Sequence, residues 1–536
     1  MPVGRIGRRA LLAGSVTAAA GGLLTTTACQ SAKKSNNTTA SNASVALPTL
    51  KKYAGVKPDL AATPEGVDPG FHTFPTSRPK SVTTSPCKGE KLTALVNTYL
   101  PIPPGPDKNG YWAGLNQRLG VDLAMSMVPQ PDYAARFATT IAGNDLPDLI
   151  QMRSVPGLPQ LLQAKFQDLT EQLSKDAVLD YPNLANLPTA AWKSTIYNGQ
   201  ICGVPVPRGA MGGSVFSRDD LLDAAGAAKQ PASFAEFTEG LRAVTDAKKR
   251  RWAFSSVDTL ADAIAPMSGE PTTWEVRDGK LVNAVETDEH RRTVSTLTDL
   301  WKAGVVNPDG FGSTPLTQNF AAGTSVYTTG GYLAWSQLVI AGTASAGFQM
   351  GLMRIPTWSG GGLAPWHLGS GSFSFTAFKK TDPDRVKLQL RVLDWLAAPF
   401  GTEEYFYRLF GREGREHTID KDGNPAYTSS GIIDTGLPIR YLTESPPVLY
   451  QPGRPQDADT QHAYQVDEIP HGIGNPTIGL FSDTAASKLP QITKALQDGT
   501  NQIIQGHKPL SDLDALLDQW RAGGGDAIRN EYQGQL

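Results

Sequence analysis

Residues 121–150 read VDLAMSMVPQPDYAARFATTIAGNDLPDLI, and their hydrophobic period changes twice. Val121, Leu123, Met125 and Met127 alternate with Asp122, Ala124 and Ser126, which is the two-residue period of a strand. Pro131 suits the first turn of a helix, where a missing N–H has no intrahelical partner to lose. Tyr133, Phe137 and Ile141 then fall four apart on one helical face until Gly143-Asn144 closes the pattern and Leu149-Ile150 opens a new apolar run. Upstream, Leu92 to Val96 is a short apolar run, and Trp112, Leu115 and Leu119 recur at helical spacing up to Gly120, a residue suited to a left-handed cap. Strand, helix, strand, helix, strand with short links implies right-handed crossovers and a mainly parallel sheet covered by helices on both faces. The fold class is therefore α/β, in which ligands bind beyond the carboxyl ends of the strands.

The remainder of the chain repeats this texture without repeating the sequence. Ser233 and Glu236 form a capping pair ahead of Phe234, Phe237, Leu241 and Val244, which share a helical face. Trp252 to Val257, Ser325 to Thr329, Gln349 to Ile355 and Ser372 to Phe378 are predicted strands. Helices are predicted from Asp288, over 385–397 and 401–410, and through much of 489–522. A chain of 536 residues exceeds the ~250–300 at which one core stops growing, so two lobes are expected.

The N-terminus carries Arg5, Arg8 and Arg9, then an uncharged stretch from Ala10 to Ala28, then Cys29. This pattern is an export signal, and Arg8-Arg9 ahead of a weakly apolar segment resembles a twin-arginine signal. Leu24 to Ala28 before Cys29 resembles a lipoprotein box, with Thr26 where a leucine-like residue is usual. The alternative is a retained membrane anchor, since about 20 residues can span a bilayer. On the first reading, residues 1–29 are removed as a signal, Cys29 is lipidated, and the protein sits outside the cytoplasm on the outer face of the cell membrane. Residues 30–88 are dense in Ser, Thr, Asn, Lys and Pro and are expected to form a disordered tether. Cys87 and Cys202 are then either one disulfide, which an oxidising exterior permits, or two separate buried thiols.

Composition excludes several classes of function. Hydrophobic residues make up 40%, charged residues 19%, and the formal net charge is −2, so no basic excess exists to neutralise phosphates and no nucleic-acid partner is expected. The seven His are scattered, and no HExxH, Cys-x-x-Cys, G-x-S-x-G, Walker A loop or complete dinucleotide fingerprint is present. No metal, cofactor or catalytic residue is therefore expected. Glu403-Glu404 invites comparison with a glycosidase carboxylate pair, but neighbours on a helix face different ways, and a solvated helix start is the expected reading.

Three stretches resemble the sugar-binding proteins of ABC importers, the superfamily of the maltose-binding proteins. They are NDLPDLI (144–150) with FQDLTEQL (166–173), YNGQICGVPVPRGAMGGSVFSR (197–218), and Phe320 to Trp335. GREGREHTIDKDGNP (411–425) is similar to a segment of lipoproteins assigned to aldouronate or complex-carbohydrate uptake. Cys202 stands where the family often has an aromatic residue, and 432–476 matches nothing in its pattern. The resemblance implies a two-lobed periplasmic-binding-protein-like fold with a multi-strand hinge. Lobe 1 would comprise 90–206 and 368–435, and lobe 2 would comprise 207–367 and 436–536. It also implies a monomeric binding protein that is not an enzyme, a carbohydrate ligand, and permease subunits as partners.

A sugar offers hydroxyls at its edge and a flat C–H face, so its site needs planar donors and acceptors beside aromatic platforms. Candidates at expected strand ends and crossings are Asn97, Tyr99, Arg208, Tyr332, Trp335, Trp366 and His367; for each aromatic the competing reading is core packing. Two other functions share this composition and signal: a secreted carbohydrate-active enzyme, and a binding lipoprotein for peptides or another polar solute.

Overall fold

The computed structural model describes residues 37–312, 314–342 and 345–536, with Leu333 described by its backbone alone. The export signal, Arg8-Arg9 and Cys29 lie outside the described residues. The two large sheets contain β1 (Glu90–Thr98), β2 (Val121–Pro129), β3 (Leu149–Gln151), β4 (Val204–Pro207), β5 (Gly213–Arg218), β6 (Trp252–Phe254), β7 (Ser325–Gly331), β8 (Met350–Met353) and β9 (Ser372–Phe378). Lobe 1 has the order β2-β1-β3-β9-β4 and lobe 2 the order β8-β5-β7-β6. β1 runs parallel to β2 and β3, and β6 parallel to β7. The strand that arrives from the opposite lobe runs against its neighbours in each sheet. That strand is β9 between β3 and β4 in lobe 1, and β5 between β7 and β8 in lobe 2.

Alternating side chains of β1 feed two cores. Leu92, Ala94 and Val96 pack with Leu115, Leu119 and Leu123 on one face, and Leu95 packs with Ile150, Phe137 and Phe375 on the other. Full burial of such side chains contributes ~1.5–3 kcal/mol each, which fixes the register, since a one-residue slip would exchange the two cores. The helix Gly110–Leu119 ends at Gly120 with φ +64, the left-handed cap its sequence suggested. Lobe 2 has its own core, in which Val215, Phe216, Phe254 and Tyr327 meet Phe237 and Leu241. There Ser233 accepts the Glu236 N–H at 3.3 Å, but the Glu236 carboxylate takes the N–H of Ala232 rather than that of the cap residue.

The lobes are joined where β4 leads into β5 and where the chain returns to β9. Arg208 N–H donates to Gly371 O at 2.9 Å and Gly369 N–H to Ala210 O at 2.8 Å. Ile473 adds a third crossing, donating to Trp366 O and accepting from Leu368 N–H. Two of these segments approach so closely that a Cβ on Gly212 would lie 2.9 Å from the Cα of Gly369. Glycine at both positions is what permits the crossing.

Three expectations need correction. Residues 37–88 form an ordered strap rather than a disordered tether. Its Thr49 and Lys51 N–H groups donate to Lys175 and Ala185 carbonyls on lobe 1. Val67 is then buried in the lobe 2 core, and Asp68 N–H bonds Gln465 Oε1 at 2.6 Å. The strap returns to lobe 1 through Phe71 and Phe74, which nest against Phe400, Tyr405 and Phe406. Lone apolar anchors among Pro and Gly carry no helical or strand period, yet each one docks. Glu404 is correspondingly not a solvated helix start: it is buried, and its carboxylate accepts the N–H groups of Ser81 and Val82 at 3.1 and 3.0 Å. The third correction is that lobe 1 extends past residue 435, because Leu437, Ile439 and Leu442 belong to its core. Of the two readings left open for Cys87 and Cys202, the structure has the free buried thiols, packed in the two different cores of lobe 1.

Candidate functional site

The carboxyl ends of β1, β3 and β4 and the start of β9 meet at the hinge edge of lobe 1. Two aromatic residues are exposed there in a way buried strands do not predict: Tyr99 at 54% and Phe373 at 36%. With Tyr441 they form a ring cluster, with centroids 6.4 Å apart for Tyr99–Phe373, 5.7 Å for Tyr99–Tyr441 and 5.3 Å for Phe373–Tyr441. The β9 register shifts between Ser372 and Ser374, and this irregularity frees Phe373 from the buried face that Phe375 keeps. The Arg208 guanidinium lies 5.0 Å from the Phe373 ring centroid, donates from Nη1 to Pro207 O at 2.8 Å, and forms no ion pair among the described residues. Burial and the neighbouring Arg440 push its pKa down to about 10. The nearby carboxylate of Glu444 is already engaged by Arg408 and by Arg440 Nε at 3.2 Å. Behind this rim Asn97 is fully buried and its side-chain amide finds no partner among the described residues, while its backbone N–H donates to Gln151 Oε1 at 3.0 Å.

The hinge edge of lobe 2 is built differently. Gly331, the last residue of β7, pairs with Gly213, the first of β5, so backbone rather than side chain forms the floor of a cavity of about 680 Å³. The helices Val257–Ser268, Asp288–Lys302 and Asp483–Ile504 wall it. Trp366 lines it while donating Nε1–H to Gly213 O at 2.9 Å, and His367 donates Nε2–H to Glu270 O at 2.8 Å. Burial lowers the pKa of His367. Asp262 faces the cavity, accepts from Thr329 Oγ1 at 2.7 Å, and has its pKa raised by desolvation. Glu270 takes His290 Nδ1 at 2.8 Å on Oε1.

The structure thus brings Tyr99 and Arg208 together on one wall, and Trp366 and His367 on the other. It sets Tyr332 and Trp335 apart from both. Tyr332 donates its hydroxyl to Gln461 O at 3.0 Å, and Trp335, 3% exposed, donates Nε1–H to Asp457 Oδ2 at 2.9 Å. Sequence reasoning missed Phe373, Tyr441, Asp262 and Glu270. Phe373 sits in an alternating strand whose irregularity is a local backbone event, and Tyr441 comes from a stretch that fitted no pattern. Among the described residues no group of three or more His, Cys, Asp or Glu side chains is placed to hold a metal ion.

Two α/β lobes, a multi-strand hinge and open strand ends on both sides of it describe a solute-binding protein. Residues 113–406 match the family of bacterial extracellular solute-binding proteins, and the chain belongs to that family. The polygalacturonan/rhamnogalacturonan-binding protein YtcQ of Bacillus subtilis is 22% identical over 462 residues, covering 83% of this chain and 90% of that protein. The B. subtilis lipoprotein LipO is 20% identical over 498 residues, covering 84% and 93%. Among solved structures, the N-glycan transport solute-binding protein NgtS of Streptococcus pneumoniae superposes with a TM-score of 0.62 at 15% identity, covering 83% of this chain and 98% of its own. YtcQ and NgtS are binding proteins by name, and the fold likeness spans both lobes.

Proposed function

We propose that this protein captures a carbohydrate, an oligosaccharide, between its lobes and passes it chemically unchanged to the permease of an ABC importer. Cys29 would carry the lipid that holds the protein at the outer face of the cell membrane, and the protein would act as a monomer. The observation that carries the reading is the ring cluster of exposed Tyr99 and Phe373 with half-buried Tyr441 beside Arg208, set at the same hinge as the glycine-floored cavity of lobe 2. Rings left in water at a strand end supply flat faces for sugar C–H groups, while the Asn97 amide, fully buried behind them, would meet a ligand through its two N–H donors and its carbonyl only if the rim moved aside. The names of the relatives support the class: YtcQ for polygalacturonan and rhamnogalacturonan, NgtS for N-glycans.

Ligand that touches both walls only when they approach stabilises the closed state by its differential affinity, and the permease would read that shape. Calorimetry over a panel of oligosaccharides, uronates and peptides tests this, with the ligand recovered and analysed afterwards. An oligosaccharide bound and recovered intact is the expected result. Peptide binding alone, or recovered fragments of cleaved glycan, would contradict it.

A further inference from the structure

The lobe 2 cavity has a charge pattern that narrows the ligand. Its lining includes Asp258, Asp262 and Glu270 and, among the described residues, no Lys or Arg. Glu270 is only 8% exposed, and while its Oε1 meets His290 Nδ1 at 2.8 Å, its Oε2 finds no hydrogen-bond partner among the described residues. An unmatched buried carboxylate oxygen at a cavity wall is costly unless something arrives to donate to it. Asp262 adds a second acceptor that is exposed rather than buried: Thr329 Oγ1 satisfies one oxygen at 2.7 Å, and no Lys or Arg pairs with the group among the described residues. The volume, about 680 Å³, lies within the ~300–1,000 Å³ of small-molecule sites. The floor of Gly213, Gly330 and Gly331 lets a ring approach the backbone without meeting a Cβ.

We propose that this cavity is the subsite for a saccharide unit that carries no carboxylate and offers hydrogen-bond donors, hydroxyl or ammonium, to Asp262 and Glu270. The proposal rests on the carbohydrate reading above and deepens it. A uronate seated here would place a further negative charge among three carboxylates with no Lys or Arg in the lining to offset it, the His290 ring being already held by Glu270 Oε1 at 2.8 Å, and its own carboxylate has no proton to give them. Any carboxylate on the ligand belongs instead at the opposite wall, where Arg208 forms no ion pair among the described residues.

The test is calorimetry of the purified protein with three matched trisaccharides: a neutral hexose trimer, its uronic-acid counterpart and its amino counterpart. A trimer uronic at every unit cannot span both walls without placing a carboxylate in lobe 2. The uronate is expected to bind at least about tenfold more weakly than the neutral trimer. Asp262→Asn and Glu270→Gln should each weaken the neutral trimer and strengthen the uronate, closing that gap to about threefold or less. Thermal unfolding of the unliganded variants checks that the fold is intact; Asp262→Asn, on a cavity-facing helix surface, keeps the test open should Glu270→Gln fail to fold. An amino trimer tighter than the neutral one identifies ammonium as the donor, and equal affinities identify hydroxyl; either supports the proposal. A uronate bound as tightly as the neutral trimer, or a gap that both variants leave unchanged, overturns the subsite while the carbohydrate reading stands. Failure of all three trimers to bind overturns both.

Discussion

The two walls at the hinge solve the same problem with opposite materials. Lobe 1 presents exposed rings and one cation on a strand end loosened by a register shift. Lobe 2 presents bare backbone and carboxylates, with its tryptophans turned inward and hydrogen-bonded to their own lobe. The difference separates side chains that serve the fold from those left for a partner. An aromatic residue at a strand end says little until its exposure and the fate of its polar atom are known.

The largest contrast is in stability. Trp366→Ala removes a buried ring and leaves Gly213 O without its donor, and should cost ~3–5 kcal/mol in denaturant unfolding. The double variant Tyr99→Ala/Phe373→Ala should cost less than about 1 kcal/mol, because both rings already face water. Equal losses for the two would erase the distinction between the walls. In binding the order reverses for lobe 1: the double variant should lower oligosaccharide affinity about 30- to 100-fold, corresponding to ~2–3 kcal/mol for two ring platforms. Retained affinity would remove the platform from the site.

A smaller effect links the lobes through pH. Burial raises the pKa of Asp394 in lobe 1 to about 7, of Glu468 in lobe 2 to about 7, and of Asp68 in the strap to about 6. Each lies above its unfolded value near 4, so the folded state holds these protons more tightly. The associated stability is complete below pH 4 and is lost as pH rises through 6 to 7, on the order of 1–3 kcal/mol per group. Unfolding free energy should therefore fall between pH 5 and pH 8, and Asp394→Asn should flatten the lobe 1 share. A rise over that interval would contradict the assignment. The smallest expected effect concerns the thiols. Burial pushes Cys87 up to about 11 and Cys202 up to about 12, so neither should react with a thiol reagent before unfolding, and reducing agent should leave Tm unchanged.

Much of the fold was legible because its elements carry a period. β2, the helix that buries Tyr133 and Phe137, and the Gly120 cap lie where alternation, four-residue spacing and a left-handed glycine placed them. The strap was not legible, since Val67, Phe71 and Phe74 dock singly among prolines and glycines without a repeating pattern. Glu404 was misread for a related reason: its partners, the Ser81 and Val82 amides, belong to that same strap. Of the site, Tyr99 and Arg208 could be placed from strand ends and a family-like crossing. Trp335 could not be separated from a ligand contact by position, because only the Asp457 carboxylate, far along the chain, reveals where its N–H is committed.

The measurement closest to the central claim is the distance between the walls. Nitroxides at Ala135→Cys beside the lobe 1 strand ends and Ala495→Cys on the helix lining the lobe 2 cavity, both exposed, report it by pulsed electron paramagnetic resonance. Saturating oligosaccharide should shorten the distance by several ångströms and return to its free value when the sugar is dialysed away. A distribution that saturating, calorimetrically bound sugar leaves unchanged would contradict capture between two closing lobes.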